Sequence, residues 1–253
     1  MGYTKCTFAE KTTLALFNWY MIFIDDMCSK DIAAYSVFQE RFLRGQPQLN
    51  PILDALVEVL LRFFDQYDAP TANSILSASL DFVNSNCIEP KLAALSPVPG
   101  AVHFPWYFRD RAGMAIVYAL MMFPKTKGVV VSDYVQVLQE MNFWIALTND
   151  VLSFHKEELA GEKNNYIHNR AHIEGKTPLG VYAEVVQELH QARKAIRAGL
   201  AHNQQAMEMW VSFEQGYMYV APFPLLTKVI LTCVTCRGWH VVQKRYKLAD
   251  LNL

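Results

Sequence analysis

VQVLQEMNFWIALTNDVLSFHKEEL, residues 135–159, carries two kinds of chemistry on one run without Gly or Pro. Its first half holds Val135, Leu138, Met141, Phe143 and Ile145; its second half holds Asn149, Ser153 and Glu157. Apolar positions at helical spacing predict one long helix to about Leu159, with Ser132 as its N-cap. Asn149, Ser153 and Glu157 stand at i, i+4 and i+8. At 3.6 residues per turn they share one face, each about 6 Å above the last. All three offer oxygen, one carboxylate and two neutral groups. Such a row holds Mg2+ poorly by itself and well when a diphosphate supplies more oxygens. The polar face of an ordinary amphipathic helix has the same spacing. Position favours the ligand reading: the row follows the apolar stretch Phe143–Leu147, so its oxygens stand at the mouth of a core.

Outward from this stretch, helical signals dominate. Ala9–Ile24 is a run without Gly or Pro, with polar and apolar residues at helical spacing. Asn50 and Pro51 read as an N-cap and first helical residue, opening a helix to about Tyr67. Pro70–Asn86 reads as another helix. Pro90, Pro97, Pro99, Gly100 and Pro105 mark an irregular connection. Phe108–Phe123 reads as one buried helix stopped by Pro124. Gly161–Pro178 is polar and loop-like. Pro178 to about Gly199 and Gln204–Tyr219 are further helices, Pro222 and Pro224 break the chain, and a last helix covers about Leu225–Lys247. Eight or so helices with no strand series predict an all-α bundle.

Composition narrows the function classes. The chain has 253 residues, 52% of them hydrophobic and 19% charged. That excludes disorder and supports one large core in a single domain, 1–253. Lys plus Arg is 23 and Asp plus Glu is 24, for a net charge of −1, so the whole-protein field attracts neither nucleic acid nor an anionic membrane. No uncharged, Pro-free run reaches the ~18–20 residues of a membrane helix, and Glu10 and Lys11 interrupt any early signal sequence. Five scattered cysteines are an odd number, read as reduced thiols in a soluble, cytoplasmic protein. No G-x-G, G-x-x-x-x-G-K-[ST], H-E-x-x-H or Glu-x-x-His occurs, which sets aside dinucleotide folds, phosphate loops, zinc proteases and di-iron bundles.

Four constellations remain. Asp25-Asp26 close the apolar run ending Ile22-Phe23-Ile24, with Asp31 farther on. Two adjacent carboxylates there are costly if buried unpaired and oppose the helix dipole, so a hard cation is one partner and a solvated helix end the plain alternative. The Asn149/Ser153/Glu157 row is the second. Arg245-Tyr246 is the third, a forked donor plus a hydroxyl for phosphate oxygens, or a surface helix end. Arg109, in Phe108-Arg109-Asp110-Arg111-Ala112-Gly113, enters an apolar helix as a phosphate sensor or a surface charge.

Together these residues resemble class I terpene cyclases, most closely the fungal sesquiterpene cyclases of the trichodiene synthase type. Asn149 to Glu157 matches that family's second metal motif, (N/D)D-x-x-(S/T)-x-x-(K/R)-E. Asp25-Asp26 looks like its Asp-rich first motif, Arg245-Tyr246 like its C-terminal diphosphate-binding pair, and Arg109 with Gly113 like its diphosphate-sensing Arg and helix-break effector. The order of all four fits from Asp25 to Tyr246. Only 24 residues precede Asp25, so some N-terminal helices of the family are expected to be lacking; Asp25-Asp26-x-x-x-x-Asp31 is looser than D-D-x-x-D; and Ala112 stands where a polar linker is common.

The resemblance implies a single-domain class I terpenoid synthase fold. It implies three Mg2+ ions held by Asp25, Asp26, Asn149, Ser153 and Glu157. It also implies a prenyl diphosphate, expected to be farnesyl diphosphate, gripped by Arg109, Lys156, Arg245 and Tyr246, and an apolar pocket for the carbocation. Dimerisation is common in such bundles, so a homodimer is an expectation. Met21, Asn18, Phe17 and Leu14 continue the face of Asp25 inward, and Trp239 shares the face of Tyr246; each is a pocket candidate or plain core. A chain-elongating prenyltransferase would carry D-D-x-x-D on both metal helices, which Asn149 and Ser153 oppose. A protonation-initiated cyclase would need D-x-D-D, which is absent. Cys233, Cys236 and His240 hint at zinc, but core thiols are the favoured reading. The non-enzyme rival is an N-terminally shortened, inactive bundle.

Overall fold

Thr7 and Glu10 start the first helix by capping each other. The Glu10 backbone N–H donates to Thr7 Oγ1 at 3.3 Å, and the Thr7 N–H donates to Glu10 Oε2 at 2.7 Å. Helix α1, Phe8–Met27, follows. Its inward stripe of Leu14, Phe17, Met21 and Ile24 is fully buried, as spacing of three and four residues requires. The computed structural model describes residues 2–92 and 95–218. Arg245, Tyr246, Trp239, Cys233, Cys236, His240, the Pro222/Pro224 break and the helix expected at 225–247 lie outside the described residues.

After α1 come a 3-10 turn, Cys28–Lys30, and two short helices, α2 (Ile32–Ser36) and α3 (Phe38–Leu43). Asp31 is the N-cap of α2 and accepts from the Ala34 N–H at 3.4 Å, which gives this residue a local structural role. Helix α4 (Pro51–Gln66) opens as expected, with Asn50 accepting from the Ile52 N–H at 2.9 Å and Pro51 in its first turn. Helix α5 (Ala69–Leu92) runs farther than Asn86 and continues through Pro90.

Three further regions differ from the reading of the sequence. The single helix expected over Phe108–Phe123 is two, α6 (Phe104–Ala112) and α7 (Ala115–Leu120), broken at Gly113, whose φ of −104° and ψ of 157° are extended. Ser132 caps no long helix. It lies in a 3-10 turn, Val131–Asp133, in which the Asp133 carboxylate takes the Val130 N–H at 3.0 Å. That local bond competes with helix initiation. A second 3-10 turn, Val135–Val137, intervenes before α8 (Leu138–Ala160). The polar loop expected over Gly161–Pro178 contains α9 (Tyr166–Glu174), capped by Asn165. Helices α10 (Pro178–Gly199) and α11 (Gln204–Met218) complete the described chain.

The fold is all-α, with eleven helices and no strand among the described residues. Helix α8 is central, packed against α7 on one side and α10 on the other; α1 packs on α4, and α5 on α6 and α7. The core includes Phe17, Phe38, Leu53, Leu56, Phe63 and Trp210, all buried. Each such side chain contributes about 1.5–3 kcal/mol by leaving water. Phe17 and Phe63 meet edge to face, with centroids 5.3 Å apart. Among the described residues no helix is long and apolar enough to cross a membrane.

Candidate active site

Helices α1, α5, α6 and α8 surround a cavity of about 360 Å3. Its apolar walls come from Met21 and Ile22 of α1, Phe82 of α5, Met114 and Tyr118 around α7, and Ile145 of α8. Its polar lining comes from Asp25, Glu89, Arg109, Asn149 and Glu157. Six residues singled out from the sequence therefore line one cavity: Met21, Asp25, Arg109, Gly113, Asn149 and Glu157. A neighbouring hollow of about 380 Å3 shares Asp25, Glu89, Glu162 and Asn164 with it.

Helix geometry decides which neighbours join. Successive residues on a helix are turned by about 100°, so adjacent side chains do not share a face. Asp25 lines the cavity and Asp26 does not, although both are exposed. Glu157 lines it while half-buried Lys156 does not. Ser153 is buried, and its hydroxyl donates to the Asp150 carbonyl at 3.4 Å. Of the inward series on α1, Met21 lines the cavity; Leu14, Asn18 and Phe17 do not, and Leu14 and Phe17 are core.

Arg109 joins α6 to α8. Its Nε donates to both Asp150 oxygens at 2.9 Å, and its Nη2 donates to the Ala146 carbonyl at 3.0 Å and to Asn149 Oδ1 at 3.3 Å. Side-chain exposures of 19% and 10% place the Arg109–Asp150 pair largely out of water, where charge-assisted bonds are strong and a lost partner costs about 3–5 kcal/mol. Burial pushes the Asp150 carboxyl up, and the Arg109 charge works against that push. Burial disfavours the Arg109 charge, and Asp150 outweighs it, so the guanidinium stays firmly protonated. Gly113 lets this arginine fold back: a Cβ there would overlap Arg109 Nη1 and stand 2.8 Å from the Arg109 carbonyl oxygen.

Other groups complete the lining. Asn165, N-cap of α9, donates from Nδ2 to Glu157 Oε2 at 2.8 Å while its Oδ1 accepts from the His168 N–H at 2.9 Å. Glu89 is partly buried; burial raises its pKa, Asp25 raises it further, and Arg109 opposes both. Tyr217 of α11 donates to the Ile145 carbonyl at 3.2 Å, and its hydroxyl is also hydrogen-bonded to Asn149. Burial raises its pKa strongly. Glu89, Asp150, Asn165 and Tyr217 were not singled out from the sequence. A lone Glu near a helix end carries no spacing signal, whereas Asn165 ahead of Tyr166-Ile167 had the signature of an N-cap.

The donor set is chemically uniform. Asp25, Glu89, Asn149 and Glu157 bring oxygen alone, the preference of Mg2+. Among the described residues no cluster of three or more His, Cys, Asp or Glu forms a ready-made metal site. The oxygens fit a cation that completes its shell from a bound polyoxyanion, with few protein ligands per ion.

The chain is similar to known proteins over most of its length. The family model described as trichodiene synthase (TRI5) matches residues 1–221. The chain is 31% identical over 252 residues to terpene synthase BipA of Cochliobolus sativus, covering 97% of this chain and 71% of that protein. It is 29% identical over 248 residues to longiborneol synthase CLM1 of Gibberella zeae, covering 96% of this chain and 68% of that protein. To (E)-beta farnesene synthase of Metarhizium brunneum it is 26% identical over 245 residues, again covering 95% of this chain and 68% of that protein.

Proposed function

The chain belongs to the trichodiene synthase family of terpene synthases, and on that premise we propose that it is a Mg2+-dependent sesquiterpene cyclase. It ionises farnesyl diphosphate, cyclises the carbocation in the apolar cavity and releases diphosphate. One observation carries the reading. Asp25 near the end of α1, Glu89 near the end of α5, and Asn149 and Glu157 of the α8 row line the same cavity, together with apolar side chains.

Asp25, Glu89, Asn149 and Glu157 would hold Mg2+, with Ser153 joining once its hydroxyl turns from the Asp150 carbonyl. Asp26 does not line this cavity, and on that ground alone it is left out of that set. The metal, when bound, supplies Lewis-acid charge to the departing diphosphate. Arg109 and Lys156 give donors to the oxygens on which charge builds, and Arg245 and Tyr246 are assigned the same task by their motif. C–O heterolysis leaves an allylic cation, which needs walls without nucleophiles. Met21, Ile22, Phe82, Met114 and Ile145 exclude water there. The rings of Phe82 and Tyr118 can stabilise passing positive charge by about 0.5–2 kcal/mol each. The farnesyl chain length is supported by the trichodiene synthase family model and by the relative named as a farnesene synthase.

The test is incubation with Mg2+ and farnesyl, geranyl or geranylgeranyl diphosphate in parallel, with the organic extract analysed for hydrocarbons. A cyclic C15 hydrocarbon from farnesyl diphosphate is expected. Product from geranyl diphosphate alone would transfer the assignment to another chain length. No hydrocarbon from any of the three would favour an inactive bundle. A melting curve gives a second reading: Mg2+ with pyrophosphate should raise Tm where neither does so alone, because the composite site binds only the folded chain.

A further inference from the structure

Tyr3 supports two walls of the cavity at once. Tyr118 and Tyr217 line that cavity, and Tyr3 itself does not. The last carbonyls of a helix lack their usual donors. The Tyr3 hydroxyl donates to one of them near the end of α7, the Tyr118 carbonyl, at 2.9 Å. The Tyr3 ring meets Phe213 of α11 edge to face, with centroids 5.3 Å apart, and Phe213 stacks in turn on Tyr217 at 5.6 Å. Burial holds the Tyr3 phenol well above the usual tyrosine range, and Tyr118, Tyr67, Cys6 and Tyr217 add to that push, so the phenol shares the interior with both lining tyrosines. The segment around it is tied down. The Cys6 N–H donates to the Tyr3 carbonyl at 3.2 Å and closes a turn. Lys11 Nζ of α1 donates to the Thr4 carbonyl at 3.0 Å, and the Thr4 hydroxyl is hydrogen-bonded to that of Ser212 on α11. Gly2 permits the close approach to α11, because a Cβ there would overlap the Phe213 ring.

We propose that Tyr3 is a positioning residue that limits the length of prenyl chain the cavity accepts, by bracing Tyr118 directly and Tyr217 through Phe213. This rests on the reading above, that the chain ionises a prenyl diphosphate. Protein interiors are packed to the density of organic crystals, so a wall keeps its place only where something fills the space behind it. Removing the Tyr3 ring vacates volume beside Phe213 and the end of α7, and the surroundings collapse into it only in part. Tyr118 and Tyr217 are then free to retreat, and the cavity of about 360 Å3 grows. A longer apolar chain gains from that room. Farnesyl diphosphate, which already fits, gains nothing and loses alignment at the reacting carbon.

The experiment compares kcat/KM for farnesyl and geranylgeranyl diphosphate in the wild-type chain, Y3A and Y3F. Y3A should raise the geranylgeranyl-to-farnesyl ratio at least about tenfold, the discrimination that even one methylene commands in an apolar pocket. Y3F keeps the ring against Phe213 and should keep the wild-type ratio. Y3L retains part of the packing and carries the test where Y3A does not fold. A merely structural role would lower both rates by one factor. That result, an unchanged ratio, or a shift in Y3F as large as in Y3A would overturn the assignment. The room itself is read without turnover by titrating the neutral fluorophore aminoanthracene and following its emission. Y3A should bind it more tightly than the wild-type chain and Y3F; equal binding would overturn the brace while leaving the cyclase reading standing. If the wild-type chain yields no hydrocarbon from either diphosphate, the cyclase reading itself is wrong, and the chain-length role falls with it.

Discussion

Asn165 donates its side-chain amide to Glu157 at 2.8 Å while capping α9 through its own Oδ1. One residue thus fixes the last carboxylate of the α8 row and starts the next helix. Asn165→Ala should lose the cap, worth about 1 kcal/mol. In a chain this long that lowers Tm by about 2–4 °C. It should also shrink the extra Tm gained with Mg2+ and pyrophosphate. An unchanged ligand-induced gain would separate Asn165 from Glu157 function.

The oxygen row makes a sharper case. Asn149→Ala, Ser153→Ala and Glu157→Ala should each reduce turnover of farnesyl diphosphate by at least about a hundredfold, the order expected when an electrostatic stabiliser is lost. Far-UV circular dichroism should stay helical, because the apolar faces toward α7 and α10 hold α8. EDTA should likewise abolish turnover and leave the helical signal intact. Wild-type rates in all three variants would refute the assignment.

Gly113→Ala tests the fold-back of Arg109. The backbone at Gly113 suits any residue, so the cost arises from the methyl group meeting Arg109. Overpacking of this kind costs about 1–3 kcal/mol. The urea midpoint should fall with an unchanged slope. A midpoint equal to wild type would mean that Arg109 rests elsewhere in solution.

Glu89 predicts a pH dependence. Its pKa lies above the ordinary 4.5, through burial first and the nearby Asp25 second. A carboxyl raised on folding stabilises fully below its unfolded value and loses that contribution as pH climbs through the folded one. Glu89→Gln should therefore raise Tm near neutral pH, with the advantage vanishing as pH falls to about 4.5. With Mg2+ and pyrophosphate present the order should reverse, since a ligand oxygen is gone. A Tm difference independent of pH would refute the electrostatic origin.

What the sequence disclosed depended on the range of the interaction. Asn50 and Pro51 announced α4 because a cap is chemistry between near neighbours. The α8 row was visible because helical spacing alone aligns Asn149 with Glu157. Helix α9 stayed hidden because its buried face is short and mixed, made of Tyr166, Ile167, Asn169 and Ala171. The break at Gly113 was hinted at by the family resemblance alone, since a single Gly between Ala112 and the apolar run Met114–Phe123 is compatible with an unbroken helix. Glu89 could not be found at all: its tie to Asp25 exists only once α5 lies beside α1. Which of two adjacent carboxylates, Asp25 or Asp26, borders the cavity was equally a matter of packing.

Helix α8 supplies the axle of the bundle and, on the proposed reading, half of its chemistry. Changes along that rod endanger folding and ionisation together, which leaves little freedom for drift. In the proposed reaction, the contour that would steer a carbocation toward one ring system is moulded elsewhere, by Met21, Phe82, Met114 and Tyr118 on α1, α5 and the α7 region. Diversification of product among such enzymes is therefore directed to those panels, where a methyl more or less reshapes the mould without loosening the axle.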